Sequence, residues 1–257
     1  MSPAHDSVQV HRRGRGAPLV LLHCLGADHR FWDDSVAALQ SSFDCVTYDL
    51  PGHGETPVPA VPYRIADLAD QLHRIAERER LGRMSVAGIS LGGLVALDFA
   101  ARFPDSLARL VLIDTAPHYP EASHASWRAR AEVARTRGVA ALTDAVMQTW
   151  FTPQGLAAQT PGVRYAREVL DRASGEGYAL GCEALIATDL RPALTRVQSP
   201  TLVMCGDRDL PLFREAAVAM HEVIAESRLE WLAPAGHASV LEQERQFIDA
   251  LTGFLRS

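Results

Sequence analysis

Lysine is absent from this chain: all 25 basic residues are arginine. A Schiff-base lysine and the lysine of a phosphate-binding P-loop are therefore excluded. Long apolar runs are missing too, and none approaches the roughly 20 residues of a membrane-spanning helix. Residues 1–6 carry no basic-then-apolar leader. Cysteine is scarce, with four in 257 residues. Cys24, Cys45, Cys182 and Cys205 form no Cys-x-x-Cys pair, and Cys45 and Cys205 sit in apolar, strand-like runs. That pattern argues against a disulfide framework and for buried free thiols in a reducing, cytoplasmic setting. There is no excess of positive charge either. The net charge of -6 predicts no general attraction to nucleic acid or to an anionic membrane. His221-Glu222 has no second histidine four residues on, and no Gly-x-Gly-x-x-Gly follows a strand. Neither a metal nor a nucleotide cofactor is expected.

What remains is ordinary globular composition, 47% hydrophobic and 22% charged, enough for one large α/β domain with a substantial core. Strands are expected near residues 7–11, 18–23, 44–49, 84–87 and 107–114, with a turn at residues 13–16. Helices are expected at residues 31–39, 63–81 and 94–101, the last stopping near Pro104. Strand and helix alternating at this spacing predict a mostly parallel, doubly wound sheet with helices on both faces. From residue 115 to 197 strand-like runs vanish. Helical segments at residues 127–137, 139–151, 162–173 and 177–190 take over, too much chain for a loop. The sheet pattern returns with a strand at residues 201–206, a helix at 213–225, a strand at 228–232 and a last helix at 240–255. The expected organisation is a core of residues 1–114 and 198–257 carrying an inserted helical cap of residues 115–197.

The chemistry gathers around Val86-Ala87-Gly88-Ile89-Ser90-Leu91-Gly92-Gly93. A Gly-x-Ser-x-Gly between a strand and a helix makes a nucleophile elbow. The turn is tight and the serine strained, so the residues two positions away must lack side chains. A serine hydroxyl needs a base, and the base needs a carboxylate to orient it and to stabilise its cation. Gly206-Asp207-Arg208-Asp209 and Ala235-Gly236-His237 each follow an apolar strand, on the same rim as Ser90. His237 is the candidate base. Asp209 is the candidate acid, with Asp207 the alternative. Ser90, Asp209, His237 is the chain order of an α/β-hydrolase triad.

With the elbow, the Gly-x-x-Asp loop and the late Gly-His, the chain resembles the α/β-hydrolase superfamily. The resemblance selects Asp209, the last residue of Gly206-Asp207-Arg208-Asp209, as the acid. It also places the oxyanion hole at the amides of Leu91 and Leu25. Cys24 stands where the family usually has glycine, so backbone freedom is reduced there. His23 is expected to brace this loop, and His53 to belong to a structural turn.

Segments at residues 132–138, 144–152 and 175–192, with residues 25–32, resemble 3-oxoadipate enol-lactonases. That similarity implies opening of an enol-lactone in aromatic catabolism, without a cofactor and with a small ester or lactone as substrate, not a nucleic acid or a membrane. A substrate carboxylate would want an arginine fork. Arg135 and Arg137 are the candidates, the other possibility being a solvated helix face. Trp150 is assigned either to the apolar wall of the pocket or to packing of cap on core. The same triad would serve a general carboxylesterase, another lactonase or a C–C bond hydrolase. The fold also occurs in small-molecule receptors. Ser90→Ala separates the classes, because an enzyme loses turnover while a binder keeps its ligand.

Overall fold

The structure, a computed structural model, describes residues 8–257. The leader-free reading of residues 1–6 and the start of the first expected strand at Ser7 lie outside the described residues. Seven strands form one sheet: β1 (Val10–Gly14), β2 (Ala17–Leu22), β3 (Phe43–Tyr48), β4 (Met84–Ile89), β5 (Leu107–Ile113), β6 (Thr201–Gly206) and β7 (Ser227–Leu232). Their order is β1-β3-β2-β4-β5-β6-β7. Only β1 runs antiparallel, against β3. The parallel strands β3, β4 and β6 are buried along their whole length, which is why they read as continuous apolar runs.

The chain leaves β2 for β3 on one side and then crosses to β4 on the other. Strand order therefore reverses between β2 and β4. In open α/β sheets the crevice outside the carboxyl ends of the strands at such a reversal is where ligands bind. Ser90 follows β4, and the loop beginning at His23 follows β2.

The helices α1 (Asp33–Leu39), α2 (Ile65–Arg78) and α3 (Leu91–Arg102) cover the first half of the sheet. One stripe of α2 is buried, comprising Ile65, Leu68, Ala69, Leu72, Ile75 and Ala76, as helical spacing predicts. Helix α3 is instead buried from Leu91 to Ala100. Between β5 and β6 lie six helices and no strand of the sheet. They are α4 (Glu121–Arg137), α5 (Thr143–Trp150), α6 (Pro153–Ala158), α7 (Pro161–Arg172), α8 (Gly175–Ile186) and α9 (Arg191–Leu194). After β6 come α10 (Pro211–Val223), α11 (Ser239–Glu242) and α12 (Glu244–Arg256). Among the described residues no helix is long and apolar enough to cross a membrane. All four cysteines are buried and free.

Three local expectations need correction. The first strand is displaced toward Gly14, because Val10 to Gly14 pairs with Tyr48 to Asp44 and the Arg12 guanidinium clasps Asp44. Residues 13 and 14 are therefore strand, not turn. The segment at residues 139–151 opens as a 3-10 turn, Val139–Leu142, before α5. The last helix is broken at Gln243 into α11 and α12. Beside the break, the Glu242 carboxylate accepts the amides of Thr152 and Gly236 and the Thr152 hydroxyl.

Candidate active site

Ser90 has φ 53° and ψ -113°, a conformation that a side-chain-bearing residue adopts only when its surroundings impose it. Three contacts do so here. The Ser90 amide donates to the Ile113 carbonyl at 2.9 Å and its carbonyl accepts the Leu94 amide at 3.1 Å. The Thr115 hydroxyl donates to the same carbonyl at 2.8 Å. Gly92, two residues on, lies against the end of β2. A Cβ there would stand 2.7 Å from the His23 carbonyl oxygen and closer still to that of Leu22. The missing side chain lets α3 seat directly on β2.

The structure brings Ser90, His237 and Asp209 together. His237 Nδ1 is 2.8 Å from Asp209 Oδ2, and His237 Nε2 is 3.0 Å from Ser90 Oγ. A carboxylate only accepts, so Nδ1 carries the proton and Nε2 offers its lone pair to the Ser90 hydroxyl. Burial pulls the His237 pKa down, but the charge and hydrogen bond of Asp209, with the charge of Asp114, outweigh it and leave it above the ordinary value. The alternative acid, Asp207, is engaged elsewhere. It accepts the Ala235 amide at 3.0 Å and pairs with Arg208 at 3.0 Å.

The loop carrying His237 is held from the helical segment. The amides of His237 and Ala238 donate to the carbonyls of Thr149 and Trp150 at 3.2 and 2.8 Å. Trp150 is 4% exposed, so its backbone clamps this loop while its side chain is buried. On the other flank, His23 Nδ1 donates to the Cys24 carbonyl at 2.8 Å, and Nε2 accepts the Leu50 amide at 3.0 Å. Burial holds the His23 pKa low, so it braces as a neutral ring. Cys24 does not need glycine's freedom. The positive φ of this turn, 81°, falls on Gly26, and the Ala27 amide closes the turn on the Cys24 carbonyl at 3.2 Å. Burial also pushes the Cys24 thiol pKa well up, away from a nucleophilic thiolate. Leu91 opens α3, so its amide has no intrahelical acceptor. Leu25 lies in the loop after β2.

Arg135 and Arg137 stand apart from this group. Arg135 is engaged by Glu176 and Glu183, at 2.7 and 2.6 Å, and Arg137 is exposed in the last turn of α4. The guanidinium whose charge reaches His237 and Tyr119 is that of Arg130. It lies over Trp127, 4.7 Å from the ring centroid, and donates to the Tyr178 hydroxyl at 2.6 Å. Trp127 meets Tyr119 edge-on at 5.5 Å, Tyr119 meets Phe213 at 6.2 Å, and Phe213 lies 4.2 Å from the His237 ring. Helical spacing held a signal for Arg130. It lies beside the stripe of Trp127, Ala131 and Ala134 that α4 turns inward.

Asp114 also escaped sequence reasoning. It is 1% exposed. It accepts the Gly206 amide at 2.8 Å, and the amide and hydroxyl of Ser239 at 3.1 and 2.6 Å. One carboxylate thus ties the Asp209 loop to the His237 loop. Burial and the neighbouring Asp209 charge push its pKa up to about 7. Asp114, Cys205 and Asp209 lie close enough to suggest metal ligation. Both carboxylates are engaged within the protein, Asp114 by its three donors and Asp209 by His237 and the Leu210 amide.

Comparison with known proteins bears on this geometry. A family model described as the alpha/beta hydrolase fold matches residues 17–244. The 3-oxoadipate enol-lactonase 2 of Acinetobacter baylyi is 31% identical, over 93% of this chain and 88% of its own. A putative carbamate hydrolase, RutD, of Yersinia enterocolitica is 27% identical over 92% of this chain and 86% of its own. The crystal structure of the enol-lactonase from Burkholderia xenovorans superimposes with a TM-score of 0.92 at 33% identity, covering 98% of both chains.

Proposed function

The chain belongs to the alpha/beta hydrolase fold family, and from that premise we propose that it is a serine hydrolase opening a small ester or lactone, with 3-oxoadipate enol-lactone as the substrate. One observation carries the reaction class: His237 bridges a strained Ser90 and a buried Asp209 at 3.0 and 2.8 Å. The enol-lactonase similarity over nearly the whole chain supports the substrate. Such a lactone would arise in aromatic catabolism, and a cytoplasmic setting fits the four buried free thiols.

In the first half-reaction Ser90 Oγ attacks the ring carbonyl while His237 Nε2 takes its proton. Asp209 stabilises the imidazolium and fixes its orientation. The carbonyl oxygen becomes an oxyanion held by the amides of Leu91 and Leu25. Collapse breaks the acyl–oxygen bond, and His237 returns the proton to the departing enolate oxygen, which stays tethered within the acyl group. The enol then tautomerises to a ketone, which makes ring opening hard to reverse. In the second half-reaction His237 deprotonates a water, which attacks the acyl carbon and releases the carboxylic acid and Ser90. Residues 115–197 act as the cap over this site.

The test is ultraviolet-monitored loss of 3-oxoadipate enol-lactone, wild type beside Ser90→Ala. A kcat/KM of roughly 10⁴–10⁸ M⁻¹s⁻¹, abolished in the variant, is expected. Cleavage of simple aryl esters alone would discard the lactone and keep the serine mechanism. Turnover of neither would refute the proposed hydrolase activity.

A further inference from the structure

A succession of aromatic rings, Phe213, Tyr119 and Trp127, leads away from His237. Such rings suit the apolar part of a small acyl group and give it no orientation. Two polar groups along them are underused. The Tyr119 hydroxyl is buried and reaches toward the Ser90 side chain without closing an ordinary hydrogen bond to it or to any other described residue. A buried donor left without an acceptor is costly and uncommon. Further along, Arg130 is partly buried and has no carboxylate partner among the described residues.

Of the other arginines near this segment, Arg128 and Arg137 are exposed, and two are neutralised by acids. Arg135, five residues later on α4, is held by two glutamates, and Arg30 by Asp28 and Glu168. Arg130 has Tyr178 in place of an acid. Its guanidinium lies between two aromatic rings, 4.7 Å from the Trp127 centroid and 5.8 Å from that of Tyr178. One of its nitrogens donates to the Tyr178 hydroxyl at 2.6 Å. A guanidinium has five N–H donors in a planar fork, so most of this one remains open. Aromatic faces orient the plane without neutralising the charge.

We propose that Arg130, held by Trp127 and Tyr178, is the anchor for a free carboxylate on the acyl substrate, with the Tyr119 hydroxyl donating to a substrate oxygen between that anchor and Ser90. The site thereby selects anionic esters and lactones over neutral ones. This rests on the hydrolase reading above and deepens it. It assigns the selection to a residue on α4 other than Arg135 and Arg137. It also has a catalytic consequence. The Arg130 charge opposes formation of the His237 imidazolium. A substrate carboxylate paired with Arg130 cancels that opposition as the proton moves onto Nε2. An anionic substrate therefore gains in kcat as well as in KM.

The experiment compares the mono-p-nitrophenyl ester of glutaric acid with its methyl-capped diester, using wild type, Arg130→Gln and Arg130→Lys. Wild type is expected to prefer the free acid. Arg130→Gln should lose roughly 10- to 100-fold in kcat/KM on the acid, as for a lost charge-assisted pair, and stay within about threefold of wild type on the diester. Arg130→Lys should recover part of the preference, since it keeps the charge and loses the fork. Glutarate should competitively inhibit diester turnover by wild type and fail to do so with Arg130→Gln. Equal losses of Arg130→Gln on both esters would overturn the proposal, as would no inhibition of wild type by glutarate. Cleavage of neither ester by wild type would instead sink the hydrolase reading itself.

Discussion

Replacing Gly92 by alanine probes the oxyanion site through backbone position alone. The new Cβ would meet the His23 carbonyl oxygen at 2.7 Å and the Leu22 carbonyl oxygen at less. Both are backbone atoms at the end of β2, a strand paired on both sides, so they cannot turn away. Relief requires moving the first turn of α3 outward by roughly an ångström, since ordinary contact with the nearer Leu22 oxygen begins at about 3.4 Å. The contact lies between the elements that carry the two proposed donors, Leu91 on α3 and Leu25 in the loop after β2. A displacement of that size takes one hydrogen bond of about 2.9 Å past the weak limit. Loss of one such donor costs about 10²–10³ in kcat, so the variant should lose roughly that much, with KM little changed. Overpacking of this kind costs about 1–3 kcal/mol, and at roughly 2–4 °C per kcal/mol the Tm should fall by several degrees. The assay is steady-state hydrolysis of an aryl ester at saturation beside a thermal melt. A kcat within about twofold of wild type, with a lowered Tm, would show that the donors do not lie across this contact.

Asp209→Asn should lower kcat by roughly 10³–10⁴, since the amide favours the wrong imidazole tautomer; a loss under tenfold, with Asp207→Asn the worse variant, would move the acid to Asp207. The working form of His237 is neutral, so kcat/KM rises with pH through its pKa, which Asp209 and Asp114 hold above the ordinary histidine value. Asp114→Asn removes one of those charges, and the acid limb of the profile should therefore move to lower pH; an unmoved limb or an upward shift would refute Asp114 as a source of that field. Because Asp114 itself lies near about 7, the wild-type limb reports the coupled set of groups. Cys24→Ser should leave kcat within about twofold of wild type, and Cys24 should resist thiol reagents in the native protein, since burial keeps the thiol protonated; rapid labelling with loss of activity would overturn its placement.

The sheet was legible because its parallel strands are buried on both faces and separated by amphipathic helices, a pattern carried by local sequence. Ser90 was legible because it directly follows a strand buried on both faces, and His237 because its Gly-His lies in the loop after the last strand of the sheet, the half-exposed edge strand β7. Asp209 needed family resemblance, since Asp207 shares the loop, and only the three-dimensional paths of Gly206 and Ala235 show what each carboxylate meets. Asp114 was invisible as a brace. Its partners, Gly206 and Ser239, lie 92 and 125 residues away. The arginines of α4 show a different limit. Arg135 and Arg137 carry the same side chain as Arg130 on the same helix, but Glu176 and Glu183 on a separate helix engage Arg135. Those pairings depend on how α4 lies against α8, which neither helix encodes alone. The break at Gln243 follows the same logic, as Glu242 is drawn to Thr152 and Gly236 across the fold.

The most direct measurement is rapid-quench mass spectrometry of the protein during turnover of a p-nitrophenyl ester, followed by peptide mapping. An acyl adduct on Ser90, forming in a burst and absent from Ser90→Ala, is the expected result. An adduct on another residue, or undiminished turnover by Ser90→Ala, would contradict the assignment of Ser90 as the nucleophile.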